Sequence, residues 1–185
     1  FAELSAEAQR STQRWLENTV IGLGLCPFAA RPVAAGQVGY FVCDAPGTDD
    51  IYRCFLQSLE KFLLTDPAEQ ETALVLVPEG LAAFAAYLEM LAWLEEAVES
   101  AGLCGVVQIA SFHPDYCFAG SDPDDPANYT NRSPVPMFHL IREALLAQAL
   151  EDFGDAERIP VRNIARLRAL GAAHLRALFT DACSR

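Results

Sequence analysis

The chain has 185 residues, 52% of them hydrophobic, and a formal net charge of −12. That length fits one domain with a substantial core, and so acidic a surface argues against nucleic-acid binding and against docking on anionic lipid. No window approaches the roughly 18 uninterrupted apolar residues of a membrane span. A single lysine, Lys61, stands among the 13 Lys and Arg residues, which argues against a phosphate-loop NTPase and against pyridoxal or other Schiff-base chemistry.

Ser5 to about Val20 reads as a helix with Ser5 as its N-cap, and Ala8, Thr12, Trp15, Leu16 and Thr19 on one face. The opening FAELSAEAQRSTQRW has no basic start followed by an apolar run, so no secretory signal is expected. The expected location is the cytoplasm, with reduced thiols. Gly22 and Gly24 loosen the chain before Cys26-Pro27-Phe28. Gly22-x-Gly24 is not a dinucleotide fingerprint, because no strand precedes it and Pro27 holds the third glycine position.

Val38 to Asp44 reads as a strand ended by Pro46-Gly47. Asp50 would cap a helix over Ile51 to Leu64, with Ile51, Phe55, Leu59 and Phe62 as its apolar stripe. Thr72 to Val77 is a continuous apolar run, as in a strand buried on both faces. Pro78 then opens a helix to about Ala101, with Leu81, Phe84, Leu88, Leu91, Leu94 and Val98 toward the core. Val106 to Phe112 is the third strand, Pro136 starts a helix to about Leu150, and a last helical region begins near Val161. Arg158, Arg162, Arg166 and Arg168 read as a solvated helix face balancing the acidic remainder.

Alternating strands and helices predict an α/β fold: a small, largely parallel sheet of three or four strands flanked by helices, in one domain over residues 1–185. A ferredoxin-like α+β sandwich is the alternative. In such sheets ligands gather outside the carboxyl ends of the strands, and a long loop, residues 114–136, leaves the carboxyl end of the third.

His113 to Glu143 is the richest segment in chemistry. Pro114, Pro123, Pro126, Pro134 and Pro136 forbid regular structure through most of it. Tyr116, Phe118, Tyr129 and Met137 give it apolar anchors, so it reads as an ordered, site-forming loop. His113 and Asp115, two apart at a strand end, are candidates for a general base with its orienting carboxylate, or for metal ligands. His139, Arg142 and Glu143 would share one helix face, with His139 a second acid/base or ligand. Asn131, Arg132 and Ser133 offer an amide, a guanidinium and a hydroxyl together, an anion clamp in which Arg132 and Arg142 would hold a carboxylate or phosphate, with Glu143 a further substrate-binding candidate. Asp122, Asp124, Asp125 and Asn128 fail the EF-hand register and read as turn and capping residues.

The six cysteines, at 26, 43, 54, 104, 117 and 183, form no C-x-x-C pair, which argues against a structural zinc site. Cys43, Cys54 and Cys104 read as core residues. Cys26 has the unusual setting LCPF and becomes a candidate nucleophile if a histidine lies beside it.

WLENTVIGLGLCPFA and HPDYCFAGSDPDDPANYTNRSPVPMFHLIRE resemble the two signature blocks of a bacterial family known only as a domain of unknown function. The matching positions include Cys26, Pro27, Phe28, His113, Pro114, Asp115, Asn131, Arg132, Ser133, His139, Arg142 and Glu143. The resemblance implies where a site lies and not what it does.

Three readings follow. The first is an enzyme acting on a small anionic metabolite, either with a divalent metal on His113, Asp115 and His139 or through Cys26. The second is a non-catalytic module binding a small molecule or peptide, and the third is a structural clasp whose polar groups satisfy one another. A homodimer is the base-rate expectation.

Overall fold

A computed structural model of the chain describes residues 2–183 and has a four-stranded mixed sheet at its centre. Its strands are β1 (Val38–Val42), β2 (Thr72–Leu76), β3 (Val107–Phe112) and β4 (Met137–Arg142), in the spatial order β1-β2-β4-β3. β1 and β2 pair in parallel, while β4 pairs antiparallel with both β2 and β3. Three strands thus run one way, as the strand–helix alternation requires, and the fourth is inserted against them.

The helices are α1 (Ala2–Trp15), α2 (Ala30–Ala34), α3 (Thr48–Leu64), α4 (Phe84–Ser100), α5 (Glu143–Phe153), α6 (Ile159–Leu170) and α7 (Ala172–Cys183). Strand alternation divides the sheet into two faces. Ala73, Val75, Phe138, Leu140 and Val107 turn to α3 and α4, where Phe55, Phe62, Tyr87, Met90 and Leu94 complete the larger core. Leu74, Leu76 and Met137 turn the other way, onto Ala8, Trp15, Leu16 and Val20. A third cluster of Leu25, Tyr129, Leu167 and Leu175 ties α6 and α7 to the rest.

Several boundaries differ from the sequence expectation, each for a physical reason. Met137–Arg142 is a strand and not the start of a helix; the helix begins only at Glu143. The strand is buried on both faces and reads as a near-continuous apolar run, which periodicity alone cannot separate from a helix. His139 and Arg142 consequently point to opposite faces of the sheet instead of sharing one. α4 begins six residues after Pro78, and its buried stripe is Tyr87, Met90, Leu94 and Val98, leaving Leu88 42% exposed. The first helix changes at Leu16–Ile21 into a π-helical turn.

Gly80 has φ +103, and a Cβ there would run into the Pro46 carbonyl oxygen. Glycine is therefore required to turn the chain between β2 and α4. Cys43 and Cys54 are joined as a disulfide between the end of β1 and α3, where two reduced core thiols were expected. Cys104 is exposed, not a core residue. Among the described residues no helix is long and apolar enough to cross a membrane.

Phe138 is fully buried, stacked on Tyr87 at 4.9 Å and edge-on to Phe55 at 5.8 Å. Phe138→Ala is expected to destabilise the protein by about 3–5 kcal/mol in urea unfolding.

Candidate functional site

A cavity of about 300 Å³ lies on the sheet face opposite α3 and α4. Its floor is Leu74, Ala110, Phe112, His139 and Ile141 from three strands. Trp15, Leu16 and Val20, at the junction of α1 with the π-helical turn, form one wall. Such a wide turn displaces side chains from the ordinary helical register and often borders functional sites. Cys26, Phe28 and Pro32 form a second wall, and Thr130 and Asn131 bring in the end of the long loop. The roof is α5, through Leu145, Leu146 and Ala149. No residue of α5 is buried, and Phe153 at its end meets Phe28 edge-on at 5.5 Å. The cavity thus joins residues from both sequence blocks, 26–28 and 130–142, on a sheet face and not beyond the strand ends.

His139 is the polar centre of the floor. Its Nε2 faces Thr72 Oγ1, and that hydroxyl also lies 2.7 Å from the Leu140 carbonyl. A carbonyl can only accept, so the hydroxyl proton goes to Leu140 and Thr72 accepts from His139 Nε2–H. The network therefore assigns the Nε2–H tautomer and leaves Nδ1 a bare lone pair. Nδ1 has no partner among the described residues and is not sealed off inside the protein. Because β4 lies between two strands, the space open to that ring is the cavity. Burial pushes the His139 pKa down to about 4, so the ring is neutral near pH 7.

Cys26 is half-buried beside the same cavity. Burial raises its thiol pKa, outweighing the backbone N–H groups of Phe28 and Ala29 that favour the thiolate. Asn131 donates from Nδ2 to Ser111 O at 2.9 Å, and its own carbonyl accepts from His113 N at 3.2 Å. These bonds stitch the two ends of the long loop together.

The other sequence candidates lie elsewhere. His113 is fully buried, outside the cavity, packed against the rings of Phe84 and Tyr87, which also stack on each other. Its Nε2 bonds Leu81 O at 2.9 Å and its Nδ1 accepts from Asp115 N at 3.0 Å. Both ring nitrogens are engaged with main chain, and burial lowers its pKa. Asp115 contributes its backbone to that ring, and its residue is exposed. Arg132 lies over the Tyr129 ring at 4.7 Å and donates to Tyr116 O and Pro123 O, holding the loop from inside. Ser133 is buried and donates to Val135 O.

Arg142 borders the cavity, but its guanidinium lies over the Phe62 ring at 4.2 Å, on the opposite face. There it donates to Phe62 O, Thr65 O and Gln70 O, closing the C-terminal end of α3. Glu143 is the first residue of α5, and its N–H bonds Val106 O.

Asn128, fully buried, is the hub of the loop: it accepts from Phe118 N and Ser121 Oγ and donates to Asp122 O. Asp125 caps the short 3-10 turn Pro126–Thr130 and pairs with Arg168, which holds its pKa down at about 2. Arg168 thus serves α6 by clamping it to the loop. Among the described residues no three His, Cys, Asp or Glu side chains converge on a metal position.

Sequence reasoning missed Thr72, Trp15, Phe28 and the α5 leucines as site residues. Thr72 carries no local signal, because its role is set by β4, 67 residues away in sequence.

A model of a family described as a protein of unknown function (DUF1415) matches residues 7–177 of the chain. No curated protein and no solved structure gives a significant match.

The depressed pKa of His139 has a definite stability consequence. Between about pH 6.5 and 4 the unfolded state binds the proton that the folded state refuses, so stability is full above pH 6.5 and falls below it. The loss due to His139 amounts to about 3 kcal/mol by pH 4. His139→Gln should flatten urea-derived stability over that window, leaving the smaller contribution of the same sign from His113. Arg132→Met, which removes two bonds to loop carbonyls, should cost about 2 kcal/mol in the same assay.

Proposed function

The chain belongs to this family of proteins of unknown function, and we propose that it binds a compact, largely apolar small molecule in the cavity beneath α5. The observation that carries the reading is the wall itself: aromatic and aliphatic side chains from all four strands, α1, the π-helical turn, α2 and α5 surround a few convergent polar groups. That is the usual composition of a small-molecule site.

An anionic metabolite fits less well. Arg132 lies in the loop away from the cavity, and both it and Arg142 hold main-chain carbonyls. Glu71 stands at the rim, paired with Arg31. Binding is favoured over covalent catalysis because burial keeps the Cys26 thiol protonated and both nitrogens of His113 are engaged.

Titration with N-phenyl-1-naphthylamine, which fluoresces in apolar surroundings, tests the reading. One saturable site is expected in the wild type, lost in Ala149→Phe, which fills the cavity from its roof. No saturable binding, or equal binding in the filled variant, would overturn it.

A further inference from the structure

We infer that the ligand of this cavity carries a hydroxyl, as a phenol or alcohol, which donates to His139 Nδ1. The inference rests on the small-molecule reading above and names the chemistry of the ligand's polar end. It comes from a census of the donors and acceptors around the cavity. The Thr72 hydroxyl proton is held by Leu140 O, and that of Thr130 by Ala127 O at 2.8 Å. One proton of Asn131 Nδ2 is held by Ser111 O. The acceptors left open are His139 Nδ1 on the floor, fixed in that form by Nε2–H bonding to Thr72, and Asn131 Oδ1 on the wall, which accepts no hydrogen bond among the described residues.

A ligand that offers no donor leaves the Nδ1 lone pair dry and unmatched, which is costly in an apolar enclosure. A carboxylate offers only acceptors and would meet the imidazole lone pair with its own. The guanidinium that borders the cavity, Arg142, is turned to the other face, and Arg31 at the rim is paired with Glu71. A hydroxyl suits the site from both sides, because it donates to Nδ1 while accepting from the second amide proton of Asn131 or from the Cys26 thiol. It also needs no charge compensation. Trp15, Phe28 and Phe112 on the walls favour an aromatic body for the same ligand.

A matched series on one ring system separates this inference from the reading beneath it. Naphthalene, 2-naphthol and 2-naphthoate would be titrated calorimetrically into the full chain near pH 7. The expected order is 2-naphthol about tenfold tighter than naphthalene, as one net hydrogen bond to a buried group provides, with 2-naphthoate weakest. His139→Phe should abolish the preference for 2-naphthol, bringing the ratio of the two affinities to about one.

Imidazole ¹⁵N shifts of the wild type give a readout that needs no variant. His139 should report the Nε2–H tautomer, and its Nδ1 resonance should move with 2-naphthol and stay put with naphthalene. Equal affinities for naphthalene and 2-naphthol, or tightest binding of 2-naphthoate, would overturn the hydroxyl inference while the cavity reading stands. No binding of any of the three would overturn both.

Discussion

Strand β4 is the element on which the rest depends. It is hydrogen-bonded on one side to β2 and on the other to β3, so β3 joins the sheet only through it. Its side chains alternate between two enclosed faces, and the two polar ones among them have opposite duties. Arg142 ends α3 by donating to three main-chain carbonyls of the helix end and its exit. His139 lies on the other face, over a cavity, with one nitrogen anchored and the other open. A shift of one residue in the register of β4 would turn both side chains over, sending the Arg142 guanidinium to the cavity face and the His139 imidazole into the apolar core against α3 and α4. The sheet and the site are therefore specified by the same pairing.

The long loop has a different part from the one its composition suggests. Most of its polar groups serve each other: Asn128 holds three segments of the loop, Arg132 reaches two of its carbonyls, and Asp125 clamps α6 through Arg168. These groups let 23 residues from Pro114 to Pro136 pack with almost no regular structure. The loop reaches the cavity only through Thr130 and Asn131. The aromatic enclosure of His113 gives it a firm root at the end of β3.

The fold class was legible because the first three strands and the helices between them carry strong local signals. TALVLV announces burial on both faces, and Ile51, Phe55, Leu59 and Phe62 repeat with helical spacing and are all buried. β4 was not legible for the reason that makes it central: MFHLIR is enclosed on both faces, so its apolar density does not alternate, and it runs into a true helix at Glu143. Misplacing it also set His139 and Arg142 on one surface when the strand separates them. That the segments holding Cys26-Pro27-Phe28 and His113 to Glu143 carry unusual composition was readable, and both border the cavity. Which of their residues face the cavity was not readable, because that depends on contacts such as Thr72 with His139 and Phe28 with Phe153, between residues far apart in sequence.

The exposed character of α5 has a consequence for how such a protein can diversify. Leu145, Leu146 and Ala149 shape the cavity from a helix that contributes nothing to the buried core. Substitutions there change the volume and contour of the cavity while the two hydrophobic clusters on either side of the sheet keep their packing. If the cavity holds a small molecule as proposed, selectivity and foldability reside on separate elements, and new ligand preferences are reachable without passing through unstable intermediates.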